Sequence, residues 1–484
     1  MNNPKPARIA VIGGGISGLT AAYTLAQARR GGASIEETLF EAGDRLGGVI
    51  FTERIDDFLI EAGPDSFLAE KPEAAALCRE LGLGDSLMGS NDRERRTYIL
   101  HRGKLVPLPD GLMLLVPTRL WPMATTPLLP LGDKLAIAAE WFRRPPQSSA
   151  AGEDESVASF VERHFGKAMV ENIVDPLLAG VYGGDCRRLS IRSVLARFWE
   201  MEQKHGSLTR ATLRARRERL KKMQNEGGSP GNPLPLFMTL REGLGRMVEA
   251  LAARLDGERN RLATRIASIE VAGERYIIRH SDGAVEEADA VVLAMPAHAC
   301  ARLCSGLSAP LAQLLGEIPY SSSMTVSLAF DAGARAKLPA GFGFLVPRKE
   351  NRRMLACTFV HGKFNDRVPE GKALVRCFLG GASDPDALQL HDQNVVDLVR
   401  QELRSILNFT AEPLFTRVHR WASSMAQYEV GHAARVESIR KSLQALPGLF
   451  VAGNAWSGIG ISDCVRTGRT AAENAMKFLS ARDG

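Results

Sequence analysis

Three glycines, Gly13, Gly15 and Gly18, close an apolar run at residues 8–12 and open a helix-compatible stretch at residues 19–28. The chemistry they allow belongs to the backbone. Gly13 permits a tight strand-to-helix turn, Gly15 lets a phosphate approach the main chain, and Gly18 lets the helix pack closely. The start of that helix, with Ile16 and Ser17 just before it, would aim free N–H groups and a positive dipole end at an anion. Glu41 ends a second apolar stretch about 20 residues further on, where a carboxylate can accept ribose hydroxyls. Glycines alone would be an ordinary turn. Strand, glycines, helix, strand and acid in this order read as a dinucleotide pyrophosphate site.

After Glu41 and Ala42, Arg45, Gly47 and Gly48 place a cation and bare backbone where further phosphates or a flavin edge would lie. A nicotinamide site has no need of that loop, and the pattern resembles the FAD-binding start of the flavin amine oxidase and phytoene desaturase superfamily. A second helix start stands near the other end, where Gly458 and Gly460 follow an apolar strand at residues 448–452 and precede a helix to about residue 479. No Ser-His-Asp set, carboxylate pair or paired His ligands stand out, so no metal is expected.

A chain of 484 residues is long enough for two or three domains. Its formal charge of +6 and pI near 9.0 favour an anionic partner such as lipid, phosphate or a polycarboxylate. No nucleic-acid motif accompanies that charge. Seven cysteines without CxxC spacing read as reduced thiols, with core packing accounting for Cys300 and Cys304. With the first strand beginning within ten residues of Met1, no signal or transit peptide is expected, and no run of 18 apolar residues appears.

These features predict an α/β protein. Its Rossmann-like FAD-binding domain is assembled from residues 1–58, 233–302 and 413–484, a mixed-sheet substrate domain from 59–91 and 303–412, and a mostly helical apolar insertion from 92–232. Within the insertion, residues 105–131 are strongly apolar but broken by six prolines, Pro107 to Pro130, which forbids a continuous helix. That stretch is either a pocket wall or a monotopic membrane-contact surface. The basic run Arg210, Arg214, Arg216, Arg217, Arg219, Lys221 and Lys222 is either a solvated helix face or a contact for acidic lipid headgroups, and residues 227–233 form a linker.

Segments along nearly the whole chain resemble the oxygen-dependent, FAD-containing protoporphyrinogen oxidase family of haem synthesis. They are EAGPDSFLAEKPEA (residues 61–74), DPLLAGVYGGDCRRLSIRS (175–193), EQKHGSL (202–208), FMTLREGLGRMVEAL (237–251), GFGFLVPR (341–348), RWASSMAQYEVGH (420–432) and GIGISDCV (458–465). GPDSF and ACTFVHGKF also resemble the Gram-positive branch, which forms coproporphyrin from coproporphyrinogen III.

The resemblance implies three two-electron oxidations of a porphyrinogen. In each, a meso carbon gives hydride to flavin N5, a pyrrole N–H loses its proton, and dioxygen accepts the electrons as hydrogen peroxide. Protoporphyrinogen IX and coproporphyrinogen III are both expected substrates. The resemblance adds Gly63, Pro64, Asp65, Ser66, Ile266, Gly453, Asn454, Ile461 and Ser462 to the cofactor site. It assigns orientation of the macrocycle to Gly180, Val181, Tyr182 and Gly183, and its clamping to Leu345 and Phe359, with Phe364 as a substitute for Phe359. Lys71 and Arg96 are the candidate cations for the propionates. A carotenoid desaturase or flavin amine oxidase is the enzymatic rival, and a non-catalytic flavin-binding scaffold the rival of another class. A cytoplasmic monomer or homodimer is expected, peripheral on the inner face of an anionic membrane, with a ferrochelatase-type pathway enzyme as a further partner.

Overall fold

The run ARIAVI is buried from Ile9 onward because it is the central strand of a parallel sheet. In this computed structural model, which describes residues 5–113, 116–146, 153–225 and 234–483, five parallel strands stand in the order Asn260–Arg261, Ile35–Phe40, Ala7–Ile12, Ala290–Leu293 and Leu449–Val451. Parallel strands need crossovers and are covered on both faces, so Ala290–Leu293 is buried at every position. The helices Ile16–Arg30 and Ile461–Asp483 cross so closely that a Cβ on Gly468 would lie 2.2 Å from the Ser17 carbonyl oxygen.

Contacts divide the chain into two units, residues 1–90, 236–320 and 434–484, and residues 91–235 and 321–433. The first holds the parallel sheet and an antiparallel meander, Ile266–Ala272, Arg275–His280 and Val285–Ala288. Residues 59–90, expected with the substrate domain, belong to this unit. Phe58–Glu61 pairs with Thr52–Ile55, and Phe67–Leu68 pairs with Phe237–Leu240.

The second unit holds a mixed seven-stranded sheet in the order Phe415–Ala426, Tyr320–Phe330, Ala373–Gly380, Met354–Phe359, Gly343–Leu345, Thr97–His101 and Lys104–Pro107. Phe415–Ala426 is an edge strand here, so residues 413–433 do not extend the nucleotide sheet. The expected helical insertion lies in this unit as well. Its helices include Leu131–Glu140, Val157–Phe165, Asp175–Tyr182, Ala196–His205 and Leu208–Asn225. The proline-rich stretch is broken as expected into the short strands Leu112–Met113 and Val116–Pro117 and the helix Leu120–Thr125. The linker at 227–233 and the side chains of Leu114, Leu115, Arg219, Lys221 and Lys222 lie outside the described residues. No helix among the described residues is long and apolar enough to cross a membrane.

A buried charge node ties four helices of the second unit together. His164 is 1% exposed between two carboxylates, with Nε2 2.9 Å from Glu202 Oε1 and Nδ1 3.4 Å from Glu140 Oε1. Arg163 pairs with Glu202 and, at 2.6 Å, with Glu155. Glu140 accepts the Leu208 and Thr209 N–H groups and so caps the helix Leu208–Asn225. Charges this deeply buried are tolerated only when paired.

Candidate functional site

The first cradle is made of backbone. A Cβ on Gly18 would stand 1.8 Å from the Gly13 carbonyl oxygen, so no side chain fits there. Gly15 is the N-cap of Ile16–Arg30, no side chain caps it, and a Cβ built on it meets no atom within 4 Å. A helix start that is bare, uncapped and without an acid in its first turn suits a pyrophosphate. The side chains of Ile16 and Ser17 are buried, which leaves the main chain as the contact surface.

Glu41 organises the loop above this start. Its Oε2 accepts the Gly14 N–H at 2.7 Å and its Oε1 the Gly43 N–H at 2.6 Å. Each oxygen retains a lone pair, so the carboxylate can still take ribose hydroxyls. Gly47 donates to the Gly14 carbonyl at 2.8 Å, which lays the Gly47–Gly48 turn across Gly15. Arg45 is not a free cation for phosphate. Its guanidinium donates to the Gly48 carbonyl at 2.6 Å and stacks over Phe51 at 4.9 Å, bracing its own loop. Ala42 is exposed beside it. A Cβ on Gly63 would meet the Val49 carbonyl oxygen at 1.8 Å, so the Gly63–Ser66 segment lies directly on this loop. Pro64 is half-buried, and Ser66 Oγ donates to Asp65 Oδ1 at 2.6 Å.

The C-terminal helix supplies a second start. Gly453 donates to Thr467 Oγ1 at 3.1 Å, Asn454 Oδ1 lies 3.4 Å from the Tyr320 hydroxyl, and Gly460 donates to Asp463 Oδ2 at 3.3 Å. Ser462 Oγ donates to the Lys71 carbonyl at 3.1 Å, and Ile461 is buried. Ile266 is 8% exposed and packs in the core of the first unit, in a strand where it pairs with His280, so its side chain is not presented to a ligand.

Lys71 does not present a free cation. Its Nζ is 2.6 Å from Asp463 Oδ2. Sequence reasoning missed Asp463, although an acid three residues after Gly460, in the first turn of a helix, is the expected cap.

In the second unit, Gly180 and Val181 stand exposed at the end of the helix Asp175–Tyr182, Val181 at 58%. Gly183 closes that helix in the left-handed region, φ 56°, and Tyr182 is half-buried. Leu345 is half-buried, its Cδ2 3.3 Å from where a Gly180 Cβ would sit. Phe359 is 0% exposed and packs on Phe344, ring centroids 6.2 Å apart, in the core of the seven-stranded sheet. Strand alternation explains the difference. Leu345 pairs with Ala356, whereas Phe359 shares its face with Cys357, so the two expected clamps stand on opposite sides of the sheet. Phe364 is likewise buried, at 2%. Arg96 is exposed, and its carbonyl accepts the Phe342 N–H at 2.8 Å.

One cluster among the described residues has metal-ligand chemistry, Asp175, Asp185 and Cys186. Arg348 already pairs with both carboxylates, at 3.1 and 3.0 Å. Burial pushes the Cys186 thiol well up, so it stays protonated. All seven cysteines are free and buried.

Residues 16–476 match the family model described as flavin containing amine oxidoreductase. Coproporphyrinogen III oxidase of Bacillus subtilis (strain 168) is 34% identical over 478 residues, covering 97% of this chain and 98% of that protein. Protoporphyrinogen oxidase 1, chloroplastic, of Arabidopsis thaliana is 31% identical, covering 97% and 88%. A crystal structure of a protein from Exiguobacterium sp. 255-15, which carries the provisional name protoporphyrinogen oxidase, is similar at TM-score 0.83 and 30% identity, covering 97% and 99%. Cyclohexylamine oxidase from Brevibacterium oxydans IH-35A shares the fold at TM-score 0.68 and 18% identity, covering 98% and 100%.

Proposed function

The chain belongs to the flavin-containing amine oxidoreductase family, and from that premise we propose that it oxidises a porphyrinogen to a porphyrin in haem biosynthesis, with FAD as its cofactor. The observation that carries this reading is identity of 34% to a coproporphyrinogen III oxidase over 97% of the chain, which spans both units. The amine oxidase likeness, at 18% identity, reaches the fold alone.

FAD supplies the two-electron redox chemistry when bound. The residues of this chain bind and orient. Gly15 and the helix start behind it would hold the pyrophosphate and Glu41 the adenosine ribose, with the turn at Gly47 and Gly48 beside Gly15. The main chain at Ile266, the segments Gly63–Ser66 and Gly453–Asn454, and the helix start from Gly460 to Ser462 complete the cofactor site. Gly180, Val181, Tyr182, Gly183 and Leu345 form an apolar ledge against which a large apolar macrocycle can lie. Arg96 is the exposed cation for a propionate on the second unit. Dioxygen is the electron acceptor, and each two-electron step yields one hydrogen peroxide. The test is turnover of coproporphyrinogen III and protoporphyrinogen IX by purified protein.

A peripheral contact with an anionic membrane is the second element of this reading. Trp121 and Phe142 are each 78% exposed, Leu131 73% and Leu135 62%. Leu131 and Leu135 share a face of Leu131–Glu140, and Phe142 follows its end. Exposed apolar side chains of this kind, with Arg119, Lys134 and Arg144 close by in the sequence, suit the headgroup boundary of an anionic bilayer. Arg210 contributes less than expected, because it donates to the Arg143 and His205 carbonyls at 3.1 and 2.8 Å. Arg214 is held by Glu218 at 2.9 Å.

A further inference from the structure

Three successive carbonyls, of Tyr182, Gly183 and Gly184, are each held by a different segment of the second unit. Gln427 Nε2 donates to the Tyr182 oxygen at 2.8 Å, the Ala382 N–H to the Gly183 oxygen at 2.8 Å, and the Arg348 guanidinium to the Gly184 oxygen at 3.1 Å. Ser321 Oγ stands behind the same turn, 2.9 Å from Gln427 Nε2 and 3.4 Å from the Tyr182 oxygen. Arg348 also pairs with Asp175 at 3.1 Å and Asp185 at 3.0 Å. One guanidinium therefore joins the first residue of the helix Asp175–Tyr182 to the chain just beyond its end.

The crowding on this side is close. A Cβ on Gly184 would meet Gln427 Oε1 at 2.4 Å, and one on Gly381 would meet the Gly183 oxygen at 2.8 Å. On the other side Gly180 and Val181 are exposed, and Leu345 is the nearest neighbour of Gly180. The helix is entered through a π turn, Val170–Val174, an irregularity frequent at functional sites. The turn thus has its polar groups satisfied from behind and an apolar, side-chain-poor surface in front.

We propose that Gln427, Ser321 and Arg348 are positioning residues that hold the Gly180–Val181 ledge as a preformed bearing surface for a flat macrocyclic substrate. The proposal rests on the porphyrinogen reading of the ledge. A ledge that does not yield keeps the reacting carbon in place, and displacement by about 1 Å is enough to cost on the order of 100-fold in rate. Gln427, 5% exposed, is the central strut, because its amide reaches both the Tyr182 carbonyl and Ser321.

The test compares Gln427→Glu, Gln427→Met, Arg348→Lys and Arg348→Ala in the FAD-loaded protein with coproporphyrinogen III, alongside flavin content and Tm. Gln427→Glu keeps the shape and loses the donor. The expected result is a fall in kcat of about 10- to 100-fold in Gln427→Glu and Arg348→Ala, with flavin content retained and KM little changed. Arg348→Lys should recover part of the loss, and added guanidinium should restore part of the activity of Arg348→Ala. Unchanged kcat in all four variants would overturn the proposal. So would losses that follow Tm and flavin content alone, with no recovery by lysine or guanidinium. If Gln427→Glu does not fold, Gln427→Met and Arg348→Lys decide the matter by the same readings. A wild-type protein that neither turns over nor binds a porphyrin would overturn the porphyrinogen reading and this proposal with it. Turnover by the wild type with indifferent variants would overturn the positioning role alone.

Discussion

Lys71 Nζ lies 2.6 Å from Asp463 Oδ2, although 392 positions separate the two residues in the chain. Asp463 also accepts the Gly460 N–H and lies within 3.4 Å of Arg466. The ion pair therefore fastens the segment after Gly63 to the start of the C-terminal helix. Lys71 is thus a paired cation rather than an unengaged one awaiting a carboxylate.

Lys71→Ala should accordingly reduce FAD retention and lower kcat/KM for coproporphyrinogen III and protoporphyrinogen IX by similar factors. Lys71 is partly exposed, so the pair contributes about 0.5–1 kcal/mol. A selective loss on the tetracarboxylate would return Lys71 to the substrate rim.

Glu41→Ala should weaken FAD binding roughly 10- to 100-fold. The carboxylate holds two backbone N–H groups of the cradle at 2.7 and 2.6 Å, and charge-assisted bonds of this kind are worth about 1.5–3 kcal/mol. Equilibrium dialysis of the apoprotein with FAD measures the change. Wild-type affinity in the variant would remove Glu41 from the site.

Acid should unfasten the second unit through Glu202. Burial pushes its carboxyl up, but hydrogen bonds and charge from Arg163 and His164 outweigh this and hold it down to about 2. A carboxyl held below its ordinary value of 4.5 contributes stability that is present above that value and lost as the pH falls through about 2. A shift of this size corresponds to about 3 kcal/mol. Urea midpoints between those pH values should fall with acid in the wild type and change much less in Glu202→Gln. Equal slopes in both proteins would contradict the assignment.

The exposed patch should govern lipid attachment. Replacing Trp121, Leu135 and Phe142 together by Ser should abolish sedimentation with phosphatidylglycerol vesicles at low ionic strength while leaving turnover in detergent intact. If the wild type itself stays in the supernatant, the membrane contact is wrong.

The nucleotide cradle was legible because Gly13, Gly15, Gly18 and Glu41 lie within one strand-helix-strand unit, where spacing alone dictates geometry. Residues 341–348 and 175–186 were legible as segments, but their roles depend on pairings that spacing does not encode. Phe359 shows why. With Met354 facing the core, simple alternation would turn Phe359 outward, but a register shift between Met354 and Ala356 reverses the parity and buries it. Arg348 and Gln427 were invisible for a related reason, since each acts on backbone groups far away in sequence, and the local signal for Asp463 as a helix cap did not reveal its pairing with Lys71. The extent of the second unit was misjudged because the strand Phe415–Ala426 reaches back across the sheet next to Tyr320–Phe330.

The most direct test of the central claim is aerobic turnover by the FAD-loaded protein, with porphyrin fluorescence and peroxide followed together. Coproporphyrinogen III and protoporphyrinogen IX are supplied separately, and autoxidation is subtracted. The account predicts porphyrin from both, with three molecules of peroxide per porphyrin, because each of three steps removes two electrons. No porphyrin above the autoxidation rate from either compound, in protein that retains its flavin and oxidises a simple amine, would contradict it.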